Sequence, residues 1–118
     1  MGVTTAMCTS FKEELLEGQH DLDGHTLTIA LIKSRESGTY GAATTNYSNV
    51  TGNSDEASGT GYSATGEALG SVAITNSGTT AFVDFADVSW TSCTISASGA
   101  IIYNTNASNK AIAIISFG

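Results

Sequence analysis

Short runs of β-branched and aliphatic residues, set between stretches made almost wholly of Gly, Ser, Thr and Asn, recur along this chain and confine it to β architectures. Residues 26–33 show the pattern best, with Leu27, Ile29 and Leu31 on one face and Thr26, Thr28, Ala30 and Ile32 on the other. Alternation of period two is the mark of a strand. The second set ends apolar, so burial on both sides and a central place in a sheet are expected. Further strands are expected over 68–75, 79–90, 93–103 and 110–117. The turns at 76–78 and 104–109 would join them as two hairpins. Strands this close together, with no helix between them, predict a mainly β fold: a single antiparallel β-sandwich or barrel-like domain. Ile29, Leu31, Phe82, Val83, Ile101, Ile112 and Ile114 are its expected core.

One helix is predicted, over residues 10–17. Ser10 and Glu13 have capping-box spacing, and Gly18 can close the end. Phe11 and Leu15, with Leu16 beside them, form an apolar stripe, whereas Lys12, Glu13, Glu14 and Glu17 are charged. Two turns of helix are not stable alone, so this one is expected to dock by burying Phe11, Leu15 and Leu16. Residues 1–9 precede it as an N-terminal arm.

Residues 34–66 form the longest polar stretch, with Tyr40, Tyr47 and Tyr62 as its bulky anchors. Loops of that length are usually functional or disordered. Tyrosine joins a rigid apolar ring to a hydroxyl, a combination enriched at protein interfaces, so these three are the candidate partner-binding residues. The competing reading is that they pin the loop to its own core.

Length and charge narrow the function. A chain of 118 residues suits one domain, and only 13% of its residues are charged against 41% hydrophobic, which is a globular balance. With four basic residues and a net charge of −7, it lacks the Lys/Arg clusters that nucleic acids and anionic membranes reward. No apolar run reaches membrane-spanning length, and the start of the chain has no signal-peptide pattern, so cytoplasmic synthesis is expected. Cys8 and Cys93 are too few and too far apart for a metal or redox motif. Free thiols are expected, with a single bridge as the alternative.

Catalytic signals are weak. His20 and His25 flank Asp21 and Asp23, yet polar residues beside Gly24 are what a tight turn selects, and the string does not fit a zinc set or a calcium loop. Gly59, Gly61 and Gly66 lack the lysine and following helix of a phosphate loop. No serine sits in a nucleophile elbow. Matches to the glycosylation pattern at Asn46, Asn49 and Asn106 are commonplace in a chain this rich in Asn, Ser and Thr. Trp90 is expected in the core, with an interface as its second role. No enzyme activity, cofactor or metal is expected.

Several strings together resemble a family of small structural proteins encoded by tailed bacteriophages, including phages of marine bacteria and cyanobacteria. They are Phe11-Lys12 with Glu14-Leu15-Leu16, Gly18 and His20; residues 58–62; residues 80–85 with Trp90; and residues 99–104 with Asn109-Lys110-Ala111. The resemblance implies a non-enzymatic virion protein present in many copies or as a homo-oligomer. A capsid decoration or cement protein bound to the major capsid protein is the first expectation. A tail or fibre component touching a host receptor or glycan is the alternative. Proteins of this kind continue with another strand where this chain stops. Its C-terminal edge is therefore expected either to be completed by a neighbour through strand addition or to border a shorter sheet at residues 110–117.

Overall fold

A computed structural model describes residues 2–118. The elements in chain order are β1 (Gly2–Val3), β2 (Ala6–Met7), helix α1 (Thr9–Leu16), β3 (Leu27–Lys33), β4 (Thr39–Tyr40), the short helix α2 (Ser48–Gly52) and β5 (Glu67–Ala68). They continue with β6 (Ala73–Ser77), β7 (Thr80–Asp84), β8 (Ala97–Asn104), a 3-10 turn (Thr105–Ala107) and β9 (Lys110–Ser116). Strand content of 39% against 14% helix makes the molecule mainly β and β-sandwich-like, as the alternating runs predict. One antiparallel sheet runs β2-β9-β8-β3-β5. Separately, β1 and β4 form a parallel pair, and β6 and β7 form a hairpin.

The longest strands carry the core. Across β3 and β8, Thr28 faces Tyr103 and Ala30 faces Ile101 on one side, while Ile29 faces Ile102 and Leu31 faces Ala100 on the other. Leu27, Ala30, Leu31, Ile32, Ile101, Ile112 and Ile114 are buried, so β3 is covered on both faces as its composition foretells. Between β8 and β9 the register slips next to Ile102, where Ala113 and Ala111 are successive partners and Ile112 is the extra residue. Such a bulge lets Ala111 and Ile112 both turn inward. The turn joining these strands is closed by Asn104, whose side chain accepts from the Asn106 N–H at 2.9 Å.

The C-terminal edge is completed from within the chain. Ala6 and Met7 pair with Ile114 and Ala113, the Cys8 N–H donates to the Ile112 carbonyl at 2.9 Å, and Thr5 Oγ1 accepts from the Ser116 N–H. The expected N-terminal arm is thus the strand that β9 needs, and β9 is not the border.

Residues 34–66 are not an open loop. Beyond β4 and α2, residues 55–57 lie along the free edge of β3: Lys33 N–H donates to Asp55 O at 2.8 Å and Ala57 N–H to Leu31 O at 2.9 Å. At the end of this stretch Gly66 has φ +91°, and a Cβ there would stand 2.0 Å from the Ile29 carbonyl, so only glycine lets the chain pass this close to β3.

Two expectations about packing are corrected. The helix starts at Thr9 with Cys8 as N-cap and no side-chain cap, so the Ser10–Glu13 box does not form, and the Ser10 hydroxyl is buried without a partner among the described residues. Its end is as expected: Gly18 N–H donates to Leu15 O and Gln19 N–H to Glu14 O, the paired bonds of a Schellman motif. Only Phe11 is buried, whereas Leu15 is 44% and Leu16 90% exposed, because the helix touches the sheet along one line of residues. Phe82 and Val83 are not central core either. The hairpin β6–β7 pairs only with itself, which leaves Val83 half-buried and Phe82 46% exposed. Ile29 is half-buried.

Candidate protein-interaction surface

The three candidate tyrosines point inward. Tyr40, Tyr47 and Tyr62 are all buried, and their hydroxyls converge on two consecutive acids, Asp55 and Glu56. Tyr47 and Tyr62 donate to opposite oxygens of the Glu56 carboxylate, which also accepts from the Thr65 N–H at 2.7 Å. The Tyr62 oxygen accepts from the Leu31 N–H at 3.0 Å, tying this network to β3. The Tyr47 ring stacks on Tyr103 with centroids 4.3 Å apart and planes 7° from parallel. These residues pin the segment to the core, the second of the two readings their positions allowed.

The electrostatics agree. Burial, reinforced by the hydrogen bond to Asp55, pushes the Tyr40 hydroxyl up to about 12, and burial with Glu56 raises Tyr47 and Tyr62 well above the ordinary range. At Asp55 burial pushes upward, but the Ser37 N–H, the Tyr40 hydroxyl, the Gly38 N–H and the Ser37 hydroxyl outweigh it and hold the acid at about 2. A carboxylate with several donors keeps its charge even inside a protein. Asp55 and Glu56 were overlooked in the sequence, although an Asp-Glu pair beside three tyrosines in a stretch poor in charge is the signal that would have found them.

The histidines are structural as well. Asn104 is fully buried, and with its oxygen taken by Asn106 its amide nitrogen reaches Nδ1 of His20 at 3.0 Å and of His25 at 2.9 Å. His20 Nε2 then donates to Glu14 at 2.9 Å, which fastens α1 to the end of β8. The Asp21–Gly24 turn forms as expected, with Gly24 and His25 N–H groups donating to Asp21 O. Among the described residues no three His, Cys, Asp or Glu side chains are arranged to hold a metal ion. Gly59 and Gly61 pack against the backbone of residues 92–94, so they serve close chain approach. Trp90 is half-buried against Tyr62, with its ring N–H buried and without a hydrogen-bond partner among the described residues. Both cysteines are free, and Cys8 is buried, its thiol raised to about 11 by burial and then by Glu14.

What remains exposed and apolar lies elsewhere. Met7, Leu15, Leu16, Ile74, Phe82 and Phe117 are each between 44% and 90% exposed. All but Leu16 and Phe117 line a groove of about 660 Å³ between α1 and the β6–β7 hairpin, with Phe11, Leu22 and Ile112 deeper inside. Scattered single apolar residues on a surface mean little, but a contiguous set marks a contact site. No helix among the described residues is long and apolar enough to cross a membrane.

The domain is mainly β, with its interior tyrosines clamped by carboxylates and an apolar groove on its surface. No protein-family model, curated protein or solved structure matches the chain.

Proposed function

We propose that this chain is a non-enzymatic structural protein of a tailed-phage virion, and within that class a decoration protein bound to the major capsid protein. The observation that carries the reading is the apolar groove between α1 and the hairpin, on a domain whose Tyr40, Tyr47, Tyr62 and His20 are tied inward by Asp55, Glu56 and Asn104. Burying such a face against a repeated partner gives many modest contacts, and repetition over a shell turns modest contacts into firm attachment. The contact face is therefore the groove and not the tyrosine segment. The strings shared with tailed-phage structural proteins supply the setting, and the net charge of −7 turns the domain away from packaged nucleic acid.

Copy number in purified particles tests it. On the order of hundreds of copies per virion agrees with a capsid shell. A small number places the chain in the tail, as a component touching a host receptor or glycan, and absence from particles overturns the virion reading altogether.

A further inference from the structure

The end of β8, the turn after α1 and the 3-10 turn converge on the buried side chain of Asn104. Its oxygen is fixed by accepting the Asn106 N–H, so its amide nitrogen faces the rings of His20 and His25, at 3.0 and 2.9 Å from their Nδ1 atoms. An amide nitrogen only donates, and both Nδ1 atoms must therefore accept. The Asp21 N–H requires the same of His25 independently, because a backbone donor cannot be turned over and it lies 3.2 Å from that Nδ1. With Nδ1 bare, each neutral ring carries its hydrogen on Nε2, and that of His20 is the one given to Glu14. The arrangement is complete only while both rings are neutral.

We propose that His20, His25 and Asn104 form a proton-operated latch, which holds the end of α1 and the turn at 19–25 to the sheet when both rings are neutral and releases them when the rings are protonated. A proton added to either ring lands on Nδ1 and sets a hydrogen against the Asn104 amide, and in His25 against the Asp21 N–H as well. Turning the Asn104 amide over would relieve the rings, but its nitrogen would then face the Asn106 N–H and the 3-10 turn would lose its cap. The other titratable groups on the elements packed here are Glu14 on α1, Cys8 before it, Asp21 and Asp23 in the turn, Tyr103 on β8, and Lys110 on β9, which bonds Gln19. From the hairpin, Ile74, Phe82 and Phe85 line the groove together with His20, and Asp84 is exposed. The carboxylates favour a charged ring, yet none of them removes the hydrogen from between Nδ1 and its donors. Beyond the latch α1 is held lightly, with Phe11 its one buried residue and Leu15 and Leu16 exposed. Loss of the latch can therefore free the end of α1 without unfolding the sheet. Leu15, His20, Asp21 and Leu22 form one wall of the groove, so release reshapes that wall.

The test uses the intact chain, with ring-nitrogen spectra and amide hydrogen exchange followed from about pH 7.5 to about pH 5, the interval in which imidazoles take up protons and above the range in which Asp55 is neutralised. Both rings should carry their hydrogen on Nε2 at the upper end. Toward the lower end, protection of α1 and residues 19–25 should fall at least about tenfold while that of β3 holds. Asn104→Asp sets a carboxylate between the two rings, which accepts from protonated Nδ1, so the same segments should become better protected as pH falls. His25→Asn keeps an acceptor that takes no proton, and should shrink the native chain's loss at least about threefold. If Asn104→Asp does not fold, the ring tautomers and His25→Asn decide. A ring with its hydrogen on Nδ1 at the upper end, protection of α1 that holds as pH falls, or protection lost equally from β3 would overturn the proposal. So would a folded Asn104→Asp that loosens as the native chain does, or a His25→Asn that keeps the full loss.

Discussion

The segment at 34–66 and the hairpin at 73–84 exchange the roles their compositions suggest. The first is built of Ser, Thr, Gly and Asn, yet it buries Tyr40, Tyr47, Val50, Asp55, Ala57 and Tyr62. The second carries apolar residues in strand-like runs, yet all its strand residues but Val83 are exposed. Hydrophobicity alone does not decide burial. A polar segment enters a core when each buried polar group meets a partner, as the tyrosine hydroxyls meet Asp55 and Glu56. An alternating ribbon stays outside when it joins no other sheet, and here β6 and β7 pair only with each other while β5 and residues 55–57 line the free side of β3.

The largest effect should come from the polar side of this contrast. Tyr47→Ala removes a ring stacked on Tyr103 and leaves Glu56 short of a donor, and should cost about 3–5 kcal/mol in urea unfolding. A variant that keeps full stability and loses only partner binding would return the segment to the role of contact surface.

Next in size is Asp55→Asn, which weakens bonds to Ser37, Gly38 and Tyr40 and should cost about 1–3 kcal/mol. Acid sharpens the same point. Since folding lowers this carboxylate from 3.8 to about 2, its contribution is complete above about 4 and drains away as pH falls toward 2. Melting temperature followed over that interval should fall more steeply in the native chain than in Asp55→Asn; parallel curves would show that the Asp55 clamp is not the acid-sensitive element.

Gly66→Ala should destabilise by more than about 1 kcal/mol, because the positive φ and the nearby Ile29 carbonyl both oppose a side chain. Thermal denaturation close to that of the native chain would mean that the segment leaves β3 by another path.

The smallest effects on stability belong to the hairpin and the outer face of α1. Phe82→Ser and Leu16→Ser should each change unfolding free energy by no more than about 0.5 kcal/mol. Phe82→Ser should nonetheless reduce incorporation into particles. A large loss of stability there would show the hairpin to be core after all.

Much of this fold was legible in the residues. The alternation around Leu27, Ile29 and Leu31 and the apolar run after Lys110 marked two central strands, because period-two patterning is a local property that survives any arrangement of the sheet. Gly18 marked the end of α1 for the same kind of reason, since its left-handed φ of +78° is a local demand. The candidate site was less legible. Tyr40, Tyr47 and Tyr62 were recognised as anchors, but a tyrosine suits a core and an interface equally, and its own neighbours in sequence do not choose between them.

Mainly β class, a single domain's length, a short helix closed by Gly18 and an acidic surface were therefore determined by the sequence itself, each resting on composition or on near neighbours. Tertiary structure alone decided which apolar residues are covered. Burial of Phe11 rather than Leu15, closure of β9 by residues 6–8, capture of the tyrosine hydroxyls by Asp55 and Glu56, and exclusion of Phe82 from the core all depend on which segments meet. Those meetings join residues far apart along the chain, such as Cys8 with Ile112 and His20 with Asn104, and local pattern carries no information about such distances.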